Sequence, residues 1–401
     1  MVLPKGLKMH INSEWIKNKS LQNILKVLKK GNYNAYLVGG CIRNSILGFP
    51  VNDIDISTDA KPEETLNLFN IGSFKATPTG FSHGTVTVIS EGIPYQITTM
   101  RSDQNTDGRH ADVSFCDNIT KDAERRDFTV NALYADATGK IIDPLGGLQD
   151  FRPLKIKFIG NASHRIQEDY LRILRFFRFH AQFSELVDDF EQNALDAIKN
   201  NQNGLKRLSK ERVWNEFQKI LLSKNPSCVV LEMSKIGILK EVSVDQDTKN
   251  IKNLVSIEEK MGIKPEAIRR LVALARNTET TFFNLSRREA KKFSLLKSLL
   301  KKNFEPAELV YQFNKEIAQS VLAVHTFNQG LKLKQSDVAK IEKAYLHPCP
   351  VSGAHLSKYL SGEEIAIKLK EAQRIWIKSN FKSDTTKILN SIGIKTKTHS
   401  L

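Results

Sequence analysis

The chain has 401 residues, enough for about two to four compact units with a sizeable core. Lys and Arg total 60 against 44 acidic residues, a formal net charge of +16 that favours a polyanionic partner without identifying one. Ribosome-associated proteins, nucleases and membrane-surface proteins share that balance. With 40% hydrophobic and 26% charged residues the composition is that of a soluble globular protein. No run of about 18 apolar residues exists, so no membrane span is expected. No apolar run with a small-residue cleavage site opens the chain, so no signal peptide is expected. Cys41, Cys116, Cys228 and Cys349 form no CxxC motif and no His cluster accompanies them. A zinc site or disulfide framework is therefore not expected, and reduced thiols in a cytoplasmic protein are.

Helical period runs from Ser13 to Lys30, with Trp15, Leu21, Ile24, Leu25 and Leu28 on one face and Gly31 as the stop. From Tyr36 to about Pro153 short β-branched runs alternate with Gly, Pro, Asp and Asn. Strands are predicted at Ala35–Val38, Ile54–Ile56, Gly84–Ile89, Tyr95–Thr99 and Lys140–Ile142, with helices at Cys41–Leu47, Pro62–Phe69 and Arg126–Tyr134 among them. After Pro153 the strands fade. Ser163–Phe179, Glu191–Asn200, Lys210–Leu222 and most of the remainder read as helices, many with Lys on one face and Leu or Ile on the other. The fold class is α+β: an N-terminal α/β head followed by an all-helical region.

Four motifs carry chemistry. Gly39-Gly40-Cys41-Ile42-Arg43 follows the first predicted strand. Two glycines allow a sharp turn and close approach to a ligand. The next helix offers free N–H groups to a phosphate, and Arg43 adds a charge-assisted donor. The same turn also serves structure alone. Asp53-Ile54-Asp55-Ile56 places two carboxylates at i and i+2, on one face of a strand. Such a pair can hold Mg²⁺ and leave phosphate oxygens in its shell, or can be two solvent-facing acids on an edge. Strand, Gly-Gly turn, Arg-bearing helix and DxD strand in succession favour the first reading, a triphosphate set against metal carboxylates.

In Arg125-Arg126-Asp127-Phe128-Thr129-Val130-Asn131, the apolar residues can bury while Arg126, Asp127 and Asn131 stay near a phosphate or ribose. A surface ion pair opening a helix is the alternative. In Glu168-Asp169-Tyr170-Leu171-Arg172-Ile173-Leu174-Arg175-Phe176-Phe177-Arg178, Asp169 and Arg172 stand at i and i+3, neighbours on one helix face that Arg175 and Arg178 continue. Leu171, Ile173, Leu174 and Phe177 form the buried stripe. A salt-bridged polar face is the plain reading. An acceptor beside donors also suits the Watson–Crick edges of cytosine and adenine, since Asp accepts from the exocyclic amine and Arg donates to the ring acceptors. Guanine and uracil present the opposite pattern. Arg175 and Arg178 would then meet triphosphate charge.

With these motifs in order, the chain resembles class II CCA-adding enzymes, the tRNA nucleotidyltransferase and poly(A) polymerase family, in wording similar to bacterial and particularly alphaproteobacterial members. The likeness runs from Tyr36 to about Leu222. It includes Ala76–Gly80, His83–Val88, Thr106–Arg109 and Asp143–Leu148, and a late Ala372–Ile377 stretch. The resemblance implies an N-terminal helix (1–30), a nucleotidyltransferase head with a small mixed sheet (31–155), a helical neck that recognises the base (156–224), and a helical body and tail that bind tRNA (225–401). It implies Mg²⁺ on Asp53 and Asp55, the catalytic pair. It implies nucleotide contacts from Gly40, Arg43, Arg126, Asp169, Arg172, Arg175 and Arg178, supported by Gly39, Asp127, Asn131, Glu168, Arg212 and Glu216. Residues 101–117 correspond to the loop that helps switch from C to A. The implied reaction is untemplated CCA addition to tRNA, held by its acceptor and T arm, from CTP and ATP, with no membrane and no obligatory protein partner. Poly(A) addition, CC-only or A-only addition, and non-catalytic RNA binding are the alternatives. The family commonly has Asp where Asn44 follows Arg43, and Glu where Gln96 precedes Ile97-Thr98-Thr99. A neutral amide is a poorer metal ligand than a carboxylate.

Overall fold

The computed structural model describes residues 9–70, 74–104, 112–187, 189–242, 244, 251–275 and 283–394. Two compact units result: Met1–Phe217 with Lys235–Val242, and Gln218–Ser234 with Ser243–Leu401.

The first unit opens on α1 (Lys19–Lys30), which starts later than its apolar period suggests. Asn18 accepts hydrogen bonds from the backbone N–H of Ser20 and Leu21 and so fixes the start; an Asn side chain competes for backbone donors better at a cap than inside a helix. Trp15 lies in the preceding turn, where its indole N–H donates to Ser45 Oγ at 3.0 Å. Leu21, Ile24, Leu25 and Leu28 are buried as expected.

Next come β1 (Ala35–Val38), α2 (Gly40–Leu47), β2 (Asp55–Thr58), α3 (Pro62–Phe69), β3 (Lys75–Gly80), β4 (Thr85–Ser90), β5 (Ile93–Thr99), β6 (Arg101–Gln104), β7 (Asp112–Phe115), α4 (Ile119–Glu124), β8 (Tyr134–Ala135) and β9 (Ile141–Ile142). A seven-stranded sheet runs β3-β4-β5-β2-β1-β8-β9. It is mixed: β2 and β5 are parallel, and the other neighbouring strands pair antiparallel. β6 and β7 form a separate hairpin between the flanks of the 101–117 segment, whose residues 105–111 lie outside the described residues. The Thr106–Arg109 motif falls there.

Two predicted helices are corrected. Arg126–Tyr134 is not helical: α4 ends at Glu124, Phe128 bridges Phe158 in extended form, Thr129–Asn131 make one tight turn, and Tyr134 enters β8. Phe128, Val130 and Leu133 all bury, so their spacing imitated a helical face. Ser163–Phe179 is two helices, α5 (Ala162–Glu168) and α6 (Leu171–Gln182), broken at Asp169. Asp169 has extended backbone (φ −153°) and its Oδ1 accepts the N–H of Leu171 at 3.1 Å, a local side-chain bond that competes with continuation of α5. α7 (Gln192–Asn201) and α8 (Lys210–Leu222) follow as read.

α6 is held in this unit by aromatic packing. Phe176 is fully buried and touches Phe128, Phe158, Phe177, Phe190 and His180, with the Phe158 ring stacked at 5.7 Å. Burial pushes His180 down to about 4, so it is a neutral member of this cluster.

The second unit contains helices and connecting loops among its described residues. Arg269 and Arg270 are buried there against Glu258. Arg270 also caps the end of α8 by donating to the carbonyls of Leu221 and Ser223. A further core gathers Val351, Leu356, Ala372, Trp376, Ile388 and Leu389.

Phe176→Ala removes the ring shared by these contacts. It is expected to cost about 3–5 kcal/mol of unfolding free energy, measured by urea denaturation, with α-helical content retained in buffer.

Candidate functional site

β1 and β2 are antiparallel with Val38 opposite Asp55, so the turn that follows Val38 is delivered beside the carboxylates. Gly39 has φ +76°, a conformation that L side chains rarely adopt. Gly40 opens α2; a Cβ there would lie 3.6 Å from Arg43 Nη2, so its value is open approach rather than backbone freedom. Asp55 begins β2, while Asp53 precedes the strand and is exposed. The two acids therefore do not share a strand face, yet both line one cavity. Neither carboxylate has a hydrogen bond or ion pair among the described residues. Burial raises the Asp55 carboxyl, Arg126 opposes that, and Asp53 adds to it. Gln96 occupies the rung next to Asp55 on the parallel strand β5.

These features fit a hard divalent cation. Two bare carboxylates repel one another, and a magnesium ion takes one or two carboxylates plus waters and phosphate oxygens. No cluster of three or more metal-ligating side chains exists among the described residues, so phosphate oxygens would complete the shell.

Arg43 is buried and its fork is held by neutral oxygens: Nε and Nη2 donate to Asn44 Oδ1 at 3.2 and 2.9 Å, and Nη1 donates to Asn131 Oδ1 at 2.5 Å. Asn44 thus holds Arg43 without neutralising it, and its own amide donates to the Pro50 carbonyl. Asn131 in turn donates to Asp127, whose Oδ2 accepts from Arg175 Nε at 2.7 Å and Nη2 at 2.5 Å. Burial, with Arg178 and Arg175 nearby, lowers Arg43 to about 10. Asp127 only partly offsets that effect.

Asp169 and Arg172 enter the same cavity as Asp53 and Asp55. The expected pairing of Asp169 with Arg172 on one helix face does not occur. Because Asp169 leaves the helix, its Oδ2 faces Arg212 at 2.9 Å, while Arg172 donates to Glu168 at 2.5 Å and to the carbonyls of Arg165 and Arg125. Arg175 and Arg178 do share a face of α6 and both line the cavity. Arg178 bonds Glu216 of α8 at 2.5 Å and stands 4.1 Å over the Phe179 ring. Glu168 also pairs with Arg165, which donates to the Arg126 carbonyl.

The cavity has a volume of about 850 Å³. Eight arginines and five carboxylates line it, an excess of cations that suits a polyanion. Every nucleotide-contacting residue expected from sequence lines it: Gly40, Arg43, Arg126, Asp169, Arg172, Arg175 and Arg178. Gly39, Asp127, Glu168 and Arg212 do so too, and Asn131 as well; Glu216 lies behind, against Arg178. The sequence reading missed Arg101, Arg165, Phe179 and above all Asp122. The last was visible as an acid four residues before Arg126 and three before Arg125 on a helical segment.

Comparison with known proteins agrees with this geometry. The family model "Poly A polymerase head domain" matches residues 35–157, and "Probable RNA and SrmB- binding site of polymerase A" matches 189–246. The human mitochondrial CCA tRNA nucleotidyltransferase 1 is 30% identical over 395 residues, covering 93% of this chain and 90% of the relative. A CCA-adding enzyme of Ligilactobacillus salivarius is 33% identical over 325 residues, covering 79% and 77%. The crystal structure of the Bacillus stearothermophilus CCA-adding enzyme in complex with CTP superposes with a TM-score of 0.71 at 25% identity, over 90% of this chain and 93% of that one.

Asp122 and Asp127 carry a pH prediction. Burial opposes their charge, but Arg126 and Arg125 for Asp122, and Arg175 for Asp127, hold both well below the usual carboxylate range. A depressed folded value stabilises the protein above the unfolded pKa of about 3.9, and that contribution is lost as pH falls below it. Urea melts should show stability declining below about pH 4. Asp127→Asn should be less stable at pH 7 and show a shallower acid decline; an unchanged acid slope would mean the Arg175 pair contributes nothing.

Proposed function

Because this chain belongs to the family of CCA tRNA nucleotidyltransferases, we propose that it adds CCA to the 3′ end of tRNA without a template, using CTP and ATP and releasing pyrophosphate. The observation that carries the reading is one cavity in which Asp53 and Asp55, without a partner among the described residues, share the lining with eight arginines and with Asp169. We assign 31–155 as head, 156–224 as neck and 225–401 as body and tail.

Asp53 and Asp55 would hold Mg²⁺, which when bound lowers the pKa of the attacking 3′ hydroxyl and steadies the triphosphate. The Gly39–Gly40 turn and the N-terminus of α2 offer backbone N–H groups to phosphate. Arg43, Arg175 and Arg178 supply fixed positive charge where the leaving pyrophosphate builds negative charge, and Arg126 reaches phosphate or ribose. Asp169 accepts from the exocyclic amine of cytosine or adenine and Arg172 donates to ring acceptors. Both are already clamped, by Arg212 and Glu168, so little freedom is lost when the base arrives. Residues of the basic body meet the acceptor and T arm through phosphates and shape, so binding weakens as salt rises.

Among the described residues no helix is long and apolar enough to cross a membrane, and all four cysteines are free. We place the enzyme in the cytoplasm, with no membrane and no obligatory protein partner. The motif wording is bacterial, with an alphaproteobacterial cast.

The test is incubation of tRNA lacking its 3′ end with labelled CTP and ATP. Asp53→Ala with Asp55→Ala is expected to cut incorporation by about a thousandfold or more; unchanged incorporation would end the metal assignment. Sequencing of products made from all four nucleotides separates CCA from CC-only, A-only and poly(A) addition, and RNA binding without incorporation would leave a non-catalytic protein. Asp169→Asn turns one acceptor into a donor, so UTP and GTP use should rise relative to CTP and ATP in the same assay.

A further inference from the structure

Asp122 lies outside the cavity lining and is fully buried, yet three of the arginines that line the cavity are tied to it. Its Oδ2 accepts from the Tyr134 hydroxyl at 2.7 Å, from Arg126 Nη2 at 3.1 Å and from Ser57 Oγ at 3.2 Å. Its Oδ1 accepts from Arg125 Nε at 2.8 Å and Nη2 at 2.7 Å, and from the backbone N–H of Arg101 at 3.3 Å. The Tyr134 hydroxyl also accepts from Arg126 Nε at 3.1 Å, and the Arg126 guanidinium stands 5.3 Å over the Tyr134 ring. Two of the three nitrogens of Arg126 are therefore engaged on the side away from the cavity. The third, Nη1, is directed at the Gly39 turn, 3.5 Å from where a Gly39 Cβ would stand. Ser57 is two residues along β2 from Asp55.

We propose that Asp122 is a positioning residue for nucleotide transfer: with Tyr134 it aims Arg126 at the sugar-phosphate of the incoming nucleotide, and through Ser57 it ties that aim to the strand carrying Asp55. The inference rests on the cavity being the nucleotide site. Six hydrogen bonds converge on one fully buried carboxylate, so its charge and geometry are fixed together. Burial works against that charge, but Arg126 and Arg125 outweigh it. If Asp122 is neutral, Arg126 keeps its charge and loses its anchor. Asp55 is an alternative anion, and its carboxyl already senses Arg126. The guanidinium then moves from the substrate toward the metal carboxylates.

The experiment is steady-state addition to tRNA lacking its 3′ end. The wild type comes first: absence of any CTP or ATP incorporation would sink the functional reading, and this one with it. Given wild-type activity, Asp122→Asn is expected to raise the KM for CTP and for ATP together by about tenfold, the scale of one loosened charge-assisted contact. The CTP-to-ATP ratio should hold, because Asp169 and Arg172 are untouched. Simple loss of folded protein would lower kcat and leave KM alone. Tyr134→Phe removes one hydroxyl, keeps the ring, and should raise KM about threefold in the same direction. In an Arg126→Gln background, neither change should raise KM further, since both act through that guanidinium. An unchanged KM in Tyr134→Phe, or effects that multiply with Arg126→Gln, would overturn the proposal. That arm decides the matter even where Asp122→Asn does not fold.

Discussion

Like charges cannot be crowded into one cavity unless each is held. Eight arginines line this one, and mutual repulsion would scatter them. Each tether has a particular kind. Arg175 and Arg178 are held by carboxylates, Asp127 and Glu216. Arg172 is held by Glu168 and two backbone carbonyls, and Arg43 by the amide oxygens of Asn44 and Asn131. Phe179 offers its ring to Arg43, Arg175 and Arg178. The rest of the site depends on this restraint: cations are fixed in space but not all neutralised, so the cavity stays positive and its donors need little reorganisation when an anion enters.

The contrast with the two aspartates is the other half of the design. Asp53 and Asp55 have no partner among the described residues, while Asp122 is paired with Arg125 and Arg126 and Asp127 with Arg175. Sheet register produces the difference. Val38 opposite Asp55 brings the Gly39 turn alongside the bare pair, and Gln96 on the next strand adds an amide without charge. The neutral Asn44 is likewise accommodated, since its oxygen still orients Arg43. Neither departure from the family pattern removes a contact that the cavity shows.

Much of the architecture was legible from residue pattern. β1, α3 and α8 fall where their periods place them, because their apolar faces, Pro62 at a helix start and the Gly39–Gly40 turn are local signals. β3, β8 and the β6–β7 hairpin were not foreseen. Lys75–Gly80 is mostly exposed at a sheet edge and carries little apolar alternation, and Tyr134–Ala135 is only two residues long, paired to β1 by tertiary contact.

The amino-acid sequence by itself determined which chemistry is available and in what order it arrives: a glycine turn that tolerates φ +76°, two acids one residue apart, an Arg-Arg-Asp segment and an arginine-bearing helix. Tertiary structure alone decided who holds whom. Spacing placed Asp169 beside Arg172 on the assumption of an unbroken helix, but Asp169 is extended between α5 and α6 and accepts the Leu171 N–H, and its ion-pair partner is Arg212, 43 residues away. Likewise Asp122 acquired its role from Tyr134, Ser57 and Arg101, none of which its own helix reveals. Periodicity reports neighbours only while the backbone stays regular; hydrogen-bond competition at a helix end, and contacts between distant segments, are settled by the folded chain.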